Sequence, residues 1–111
     1  MNKFLVFSIT LFLVAEVTSS AAVYKGQSVF VKECKECHDS GQAMAASKKA
    51  KEWKRLLSDD GDELASIHTS SRKAKDSWEY FKSDRFTSKA KHLKDFMMEY
   101  SKDSGKVPAC N

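Results

Sequence analysis

Past residue 22 the apolar side chains return at helical spacing, in short amphipathic stretches. Gly26, Phe30 and Cys34 fall at steps of four, which predicts a helix over 24–33. Ala50, Trp53, Leu56 and Leu57 form a second stripe over 48–57, with Ser47 placed to cap it. Gly61 breaks the chain, and Leu64, Ile67 and His68 then share the inner face of a short helix. Over 72–82, Ala74, Trp78 and Phe81 stand at i, i+4 and i+7 and leave the basic residues outward. A last helix over 88–101, capped by Thr87 or Ser88, carries Leu93, Phe96, Met97 and Tyr100 inward and is ended by Gly105 and Pro108. Pro108 is the one proline and glycine is sparse, so the punctuation that separates short strands is missing. The expectation is an all-α chain with one domain, no internal repeat and no low-complexity linker.

The first 22 residues follow another rule. Met1-Asn2-Lys3 is a basic start, Phe4 to Val14 is mostly apolar, and Ser19-Ser20-Ala21-Ala22 supplies small residues for cleavage. This reads as a secretory signal peptide over 1–22, leaving 23–111 as the mature domain. The apolar run is short of the roughly 20 residues a bilayer-spanning helix needs, so no stable span is expected after cleavage, with a retained N-terminal anchor as the alternative. The expected location is the periplasm.

Residues 34–38 read Cys-Lys-Glu-Cys-His, a C-x-x-C-H pentapeptide of the kind that attaches a c-type haem. Two thiols three residues apart at a helix end can reach the two vinyl groups of one haem through Cys34 and Cys37. The next residue then falls beneath the ring, so His38 is the proximal iron ligand. A redox dithiol or half a zinc site are the competing readings of C-x-x-C. Zinc would need a second ligand pair at short spacing, and the one further cysteine is Cys110. A thioredoxin-like site would want a βαβ setting.

An N-terminal helix leading into C-x-x-C-H, a middle of short helices and an amphipathic C-terminal helix resemble the class I cytochrome c family over most of the mature chain. The resemblance implies a small helical domain wrapped around one covalent haem, in which Gly26 and Phe30 of the first helix meet Phe96 or Tyr100 of the last. The lysine-rich sequence, Asp39-Ser40-Gly41 and the tail Val107-Pro108-Ala109-Cys110 also look like small periplasmic cytochromes of sulfur- or hydrogen-metabolising bacteria. Class I members usually take the sixth ligand from a methionine ahead of the last helix, and residues 70–86 contain none.

The distal ligand must therefore come from elsewhere. His68 is the first candidate, at the end of a short helix upstream of the last one; His92, beside the apolar stripe of the C-terminal helix, is the second. Met44, Met97 and Met98 follow, each with a plain alternative as core filler. A lone histidine near an apolar face is likewise more often a satisfied interior or surface imidazole than a ligand. Two imidazoles favour a lower potential than His/Met, within a range of roughly 0.8 V set by axial ligation. An open sixth position would instead admit peroxide or a gas.

Nineteen Lys and Arg against fifteen Asp and Glu give a net charge of +4. Lys48, Lys49, Lys51, Lys54 and Arg55 cluster on one helix; Arg72, Lys73, Lys75, Lys82, Arg85, Lys89, Lys91 and Lys94 crowd the later half. Either these are solvated helix faces, or they steer acidic redox partner proteins to an exposed haem edge. Nucleic acid is not an expected partner of an exported haem protein. Cys110, unpaired within the chain, leaves three readings open: a disulfide-linked dimer of an otherwise monomeric protein, a reactive thiol, or no function. The sequence thus points to a one-electron carrier with haem c iron and not to an enzyme. The alternative is a haem subunit or small enzyme of sulfur or peroxide metabolism with accessible iron or a reactive Cys110, and a ligand-sensing haem module stands third.

Overall fold

The computed structural model describes residues 18–108, so the leader expected over 1–22 lies largely outside the described residues, and Cys110 lies outside them entirely. Among the described residues seven α-helices follow in order: α1 Thr18–Glu33, α2 Gly41–Ala45, α3 Ala50–Leu57, α4 Asp62–Thr69, α5 Trp78–Phe81, α6 Asp84–Thr87 and α7 Ala90–Glu99. Two 3₁₀ turns, Asp59–Gly61 and Arg72–Ser77, lead into α4 and α5. Among the described residues there is no strand, and no helix is long and apolar enough to cross a membrane.

The frame is set where α1 crosses α7. A Cβ on Gly26 would stand 2.7 Å from both the His92 carbonyl carbon and the Phe96 Cβ, so only a residue without a side chain lets the two backbones approach this closely. One turn on, Phe30 packs on Phe96 with ring centres 6.3 Å apart, and Phe96 meets Tyr100 at 5.4 Å. Ala90, Leu93, Phe96 and Met97 give α7 its buried stripe, which also receives Trp53, Leu56 and Leu57 of α3.

The N-terminus of α3 is not capped by Ser47, whose hydroxyl instead donates to the Met44 carbonyl. Its first amide, that of Ala50, donates to Asp103 Oδ1 at 2.9 Å, and Lys102 N donates to the Lys48 carbonyl at 2.9 Å. A tail more than fifty residues away thus supplies the capping acceptor that local sequence lacks. Thr87 and Ser88 do not cap α7 either. Its N-cap residue is Lys89, without a side-chain cap, and Thr87 belongs to α6.

The continuous helix expected over 72–82 is a 3₁₀ turn followed by the single turn of α5. Trp78 Nε1 donates to the carbonyls of His68 (2.7 Å) and Ser71 (3.0 Å), and these bonds hold the chain in a bend between α4 and α5. Gly61 does interrupt the chain: Asp59, Asp60 and Gly61 all have positive φ, and a Cβ at Gly61 would lie 2.5 Å from Phe86 Cζ. Ile67, expected inward, is 52% exposed, and no residue of α4 is fully buried.

Candidate functional site

The C-x-x-C-H segment leaves the end of α1 as a turn. The amides of Cys37 and His38 both donate to the Cys34 carbonyl, at 3.2 and 3.0 Å, which brings the two sulfur-bearing residues and the histidine to one corner of the chain. The two thiols sit in different settings. Cys34 is half-buried against the core and Cys37 is exposed. Burial pushes the Cys34 thiol up to about 12, reinforced by Glu33 and then Cys37. Ser40 then accepts from the Ala43 amide at 3.2 Å, starting α2 and directing the chain away from the corner.

Across from this turn stands His68, near the end of α4. Its ring centre lies 6.0 Å from that of His38, with the planes at 79°. His68 Nδ1 is 2.8 Å from the Leu64 carbonyl, one turn back on the same helix, so that nitrogen is committed as the donor and Nε2 is the free coordinating atom. Phe81 stacks on the imidazole at 4.1 Å and 23°, and Trp78 holds the His68 backbone carbonyl. The ring is thus fixed on one nitrogen, one face and its own peptide. The pKa of His38 is held below the ordinary histidine value by desolvation and then by the neighbouring His68, with Asp39 opposing. Neutral imidazole is the form that can ligate a metal.

The spacing suits one metal ion between two imidazoles. Bonds of about 2 Å on opposite sides, plus roughly 1 Å from each nitrogen to its ring centre, put the centres about 6 Å apart. Among the described residues no group of three or more His, Cys, Asp or Glu side chains could hold a metal ion by itself. What the chain brings to this corner is two thiols and two imidazoles, those of Cys34, Cys37, His38 and His68.

The other candidate ligands lie elsewhere. His92 is on α7 at the crossing with Gly26; its Nδ1 is buried without a hydrogen-bond partner, and it has no ring contact with His38 among the described residues. Its pKa is lowered by desolvation first and by Lys25, Lys91 and Lys89 after it, against Asp95. Met97 is buried in the core; Met44 and Met98 pack half-buried against it.

Reading the chain as a sequence missed Phe81 and Trp78 as supports of His68, because both satisfy a helical stripe that explains them as core alone. The one available signal was the density of aromatic residues between 78 and 86. No family model, curated protein or solved structure matches the chain.

Proposed function

We propose that this chain is a periplasmic one-electron carrier that binds a single haem c through Cys34 and Cys37, with His38 as proximal and His68 as distal ligand. The observation that carries the reading is the pair of imidazoles, 6.0 Å between centres, with Nδ1 of His68 already engaged by a backbone carbonyl. Such second-sphere bonds fix the tautomer and raise the basicity of a ligating histidine.

The bound group supplies reversible one-electron chemistry at its iron. The protein residues do the rest. Cys34 and Cys37 tie the group to the end of α1, so it cannot dissociate between donor and acceptor. His38 and His68 would both hold the iron, which would exclude peroxide and gases and favour a potential lower than a His/Met pair would give. Leu64, Phe81 and Trp78 hold His68 so that little rearrangement accompanies each change of charge. Half-buried Leu64 and exposed Ile67, flanking His68 on α4, offer apolar surface for a macrocycle to cover.

The test is production of the full chain with a c-type haem maturation system. Haem that stays with the polypeptide on a denaturing gel, is lost in Cys34→Ala/Cys37→Ala, and gives a low-spin bis-imidazole paramagnetic resonance spectrum is the expected result. A chain that leaves maturation without haem would remove the reading altogether.

A further inference from the structure

A groove of 290 Å³ runs between the outer face of α1 and the α5–α6 segment. Tyr24, Lys25 and Lys32 line it from α1; Tyr80, Arg85 and Lys89 line it from the other side. Tyr24 is 72% exposed, and half-buried Val29 and Tyr80 add apolar surface, so the groove can accept an apolar side chain at its centre. Its rim carries four cations against one carboxylate, Glu33. That carboxylate is already engaged by Arg85 at 3.4 Å, and Arg85 also lies 5.0 Å from the Tyr80 ring. Lys25, Lys32 and Lys89 have no salt-bridge partner among the described residues.

The groove is joined to the haem-ligand candidates by packed rings. Tyr80 meets Phe81 at 5.3 Å, Phe81 stacks on His68 at 4.1 Å, and His68 faces His38 at 6.0 Å. Among the described residues no ring contact joins the basic cluster of α3 to His68: α3 packs on the helix α4 itself and on α7, and Arg55 is engaged by Glu63.

We infer that this groove is where an acidic redox partner protein docks, placing an apolar side chain flanked by carboxylates between Tyr24 and Tyr80, at the outer end of the ring series that reaches His68. The inference rests on the electron-carrier reading. It adds the location, which the dispersed lysines of the sequence did not define. Charge complementarity identifies the partner: unpaired cations around an apolar slot attract an acidic surface and repel a basic one.

The test uses the full haem-loaded chain and reduced flavodoxin, an acidic electron carrier, as the probe, with electron transfer followed by stopped-flow. Reversal of the groove cations in Lys25→Glu/Lys32→Glu/Lys89→Glu is expected to lower the second-order rate about tenfold or more at low ionic strength, with the difference closing at high salt. Lys48→Glu/Lys51→Glu/Lys54→Glu, with the same change of charge on α3, is expected to lower it far less. Ser28→Trp, which fills the groove without changing charge, should slow transfer at every salt concentration while circular dichroism is unchanged. Equal slowing by the two charge reversals, or no effect of Ser28→Trp, overturns the groove while leaving the carrier intact. A wild-type chain that retains no covalent haem removes the carrier and the groove together.

Discussion

His68 stacks on Phe81 with ring centres 4.1 Å apart and lies 6.0 Å from the His38 ring, so one aromatic side chain sets the position of the imidazole that neighbours the C-x-x-C-H turn. Phe81 is buried and belongs to the same cluster as Phe86 and Tyr80. The His68 imidazole is therefore held by the core itself.

His68→Ala in the haem-loaded protein should convert low-spin iron to high-spin or admit an added ligand such as imidazole, whereas His92→Ala should leave the spectrum as in the wild type. Optical and paramagnetic resonance spectra in both oxidation states distinguish the two. Loss of the low-spin signal in His92→Ala alone would reverse the assignment. Phe81→Ala should keep the ligand but broaden its orientation, read as heterogeneous low-spin signals.

Without haem, the two motif thiols should differ in reactivity. In a Cys110→Ser background at pH 8, iodoacetamide should modify exposed Cys37 well before Cys34, whose thiol burial pushes up to about 12. Peptide mass mapping over time gives the order. Equal rates would mean that Cys34 is not packed against the core before the haem is attached.

Gly26→Ala should destabilise the fold by about 2 kcal/mol, despite alanine's better helix propensity. The added methyl meets the His92 backbone carbonyl, which cannot rotate aside as a side chain could. Denaturant unfolding measures the loss. A stabilised variant would show that α1 and α7 are not in the close crossing described.

Phe86→Ala should cost about 3–5 kcal/mol, as large-to-small changes in a packed core do. Phe86 is 1% exposed, meets Tyr80 and Phe81, and lies under Gly61, so its removal empties the space beneath the Asp59–Gly61 turn. A loss of unfolding free energy in denaturant of less than about 1 kcal/mol would contradict that packing.

Asp103 should contribute an acid-sensitive share of stability. Its pKa is lowered from 3.8 by the Ala50 amide and then by the Ser101 hydroxyl, so the folded chain binds this proton less readily than the unfolded chain. The contribution is complete above pH 3.8 and is lost as the pH falls through the lower folded value. Asp103→Asn should melt below the wild type at pH 6, and the two should converge in acid. Parallel melting curves down to pH 2 would show that the carboxylate does not cap α3.

The residue pattern alone determined the helical class, the core stripes of α3 and α7, and the C-x-x-C-H pentapeptide at the end of α1. These depend on local spacing: a stripe at helical period must bury one face, and a C-x-x-C-H turn needs only five consecutive residues. It also placed the close approach of Gly26 and Phe30 to Phe96, through the resemblance to class I cytochromes. What only the tertiary structure decided depends on residues far apart in the chain. Asp103 replaces Ser47 at the start of α3, because an orphan amide is satisfied by whichever acceptor folding brings near. Trp78 bends the chain back to His68, so the stripe over 72–82 does not continue as one helix. His68 rather than His92 faces His38, because α7 is committed along its length to α1 and α3 while α4 is left with an unburied face. Helical period reports which face is buried, but it carries no information about what stands opposite, and the choice between two histidines is a question of what stands opposite.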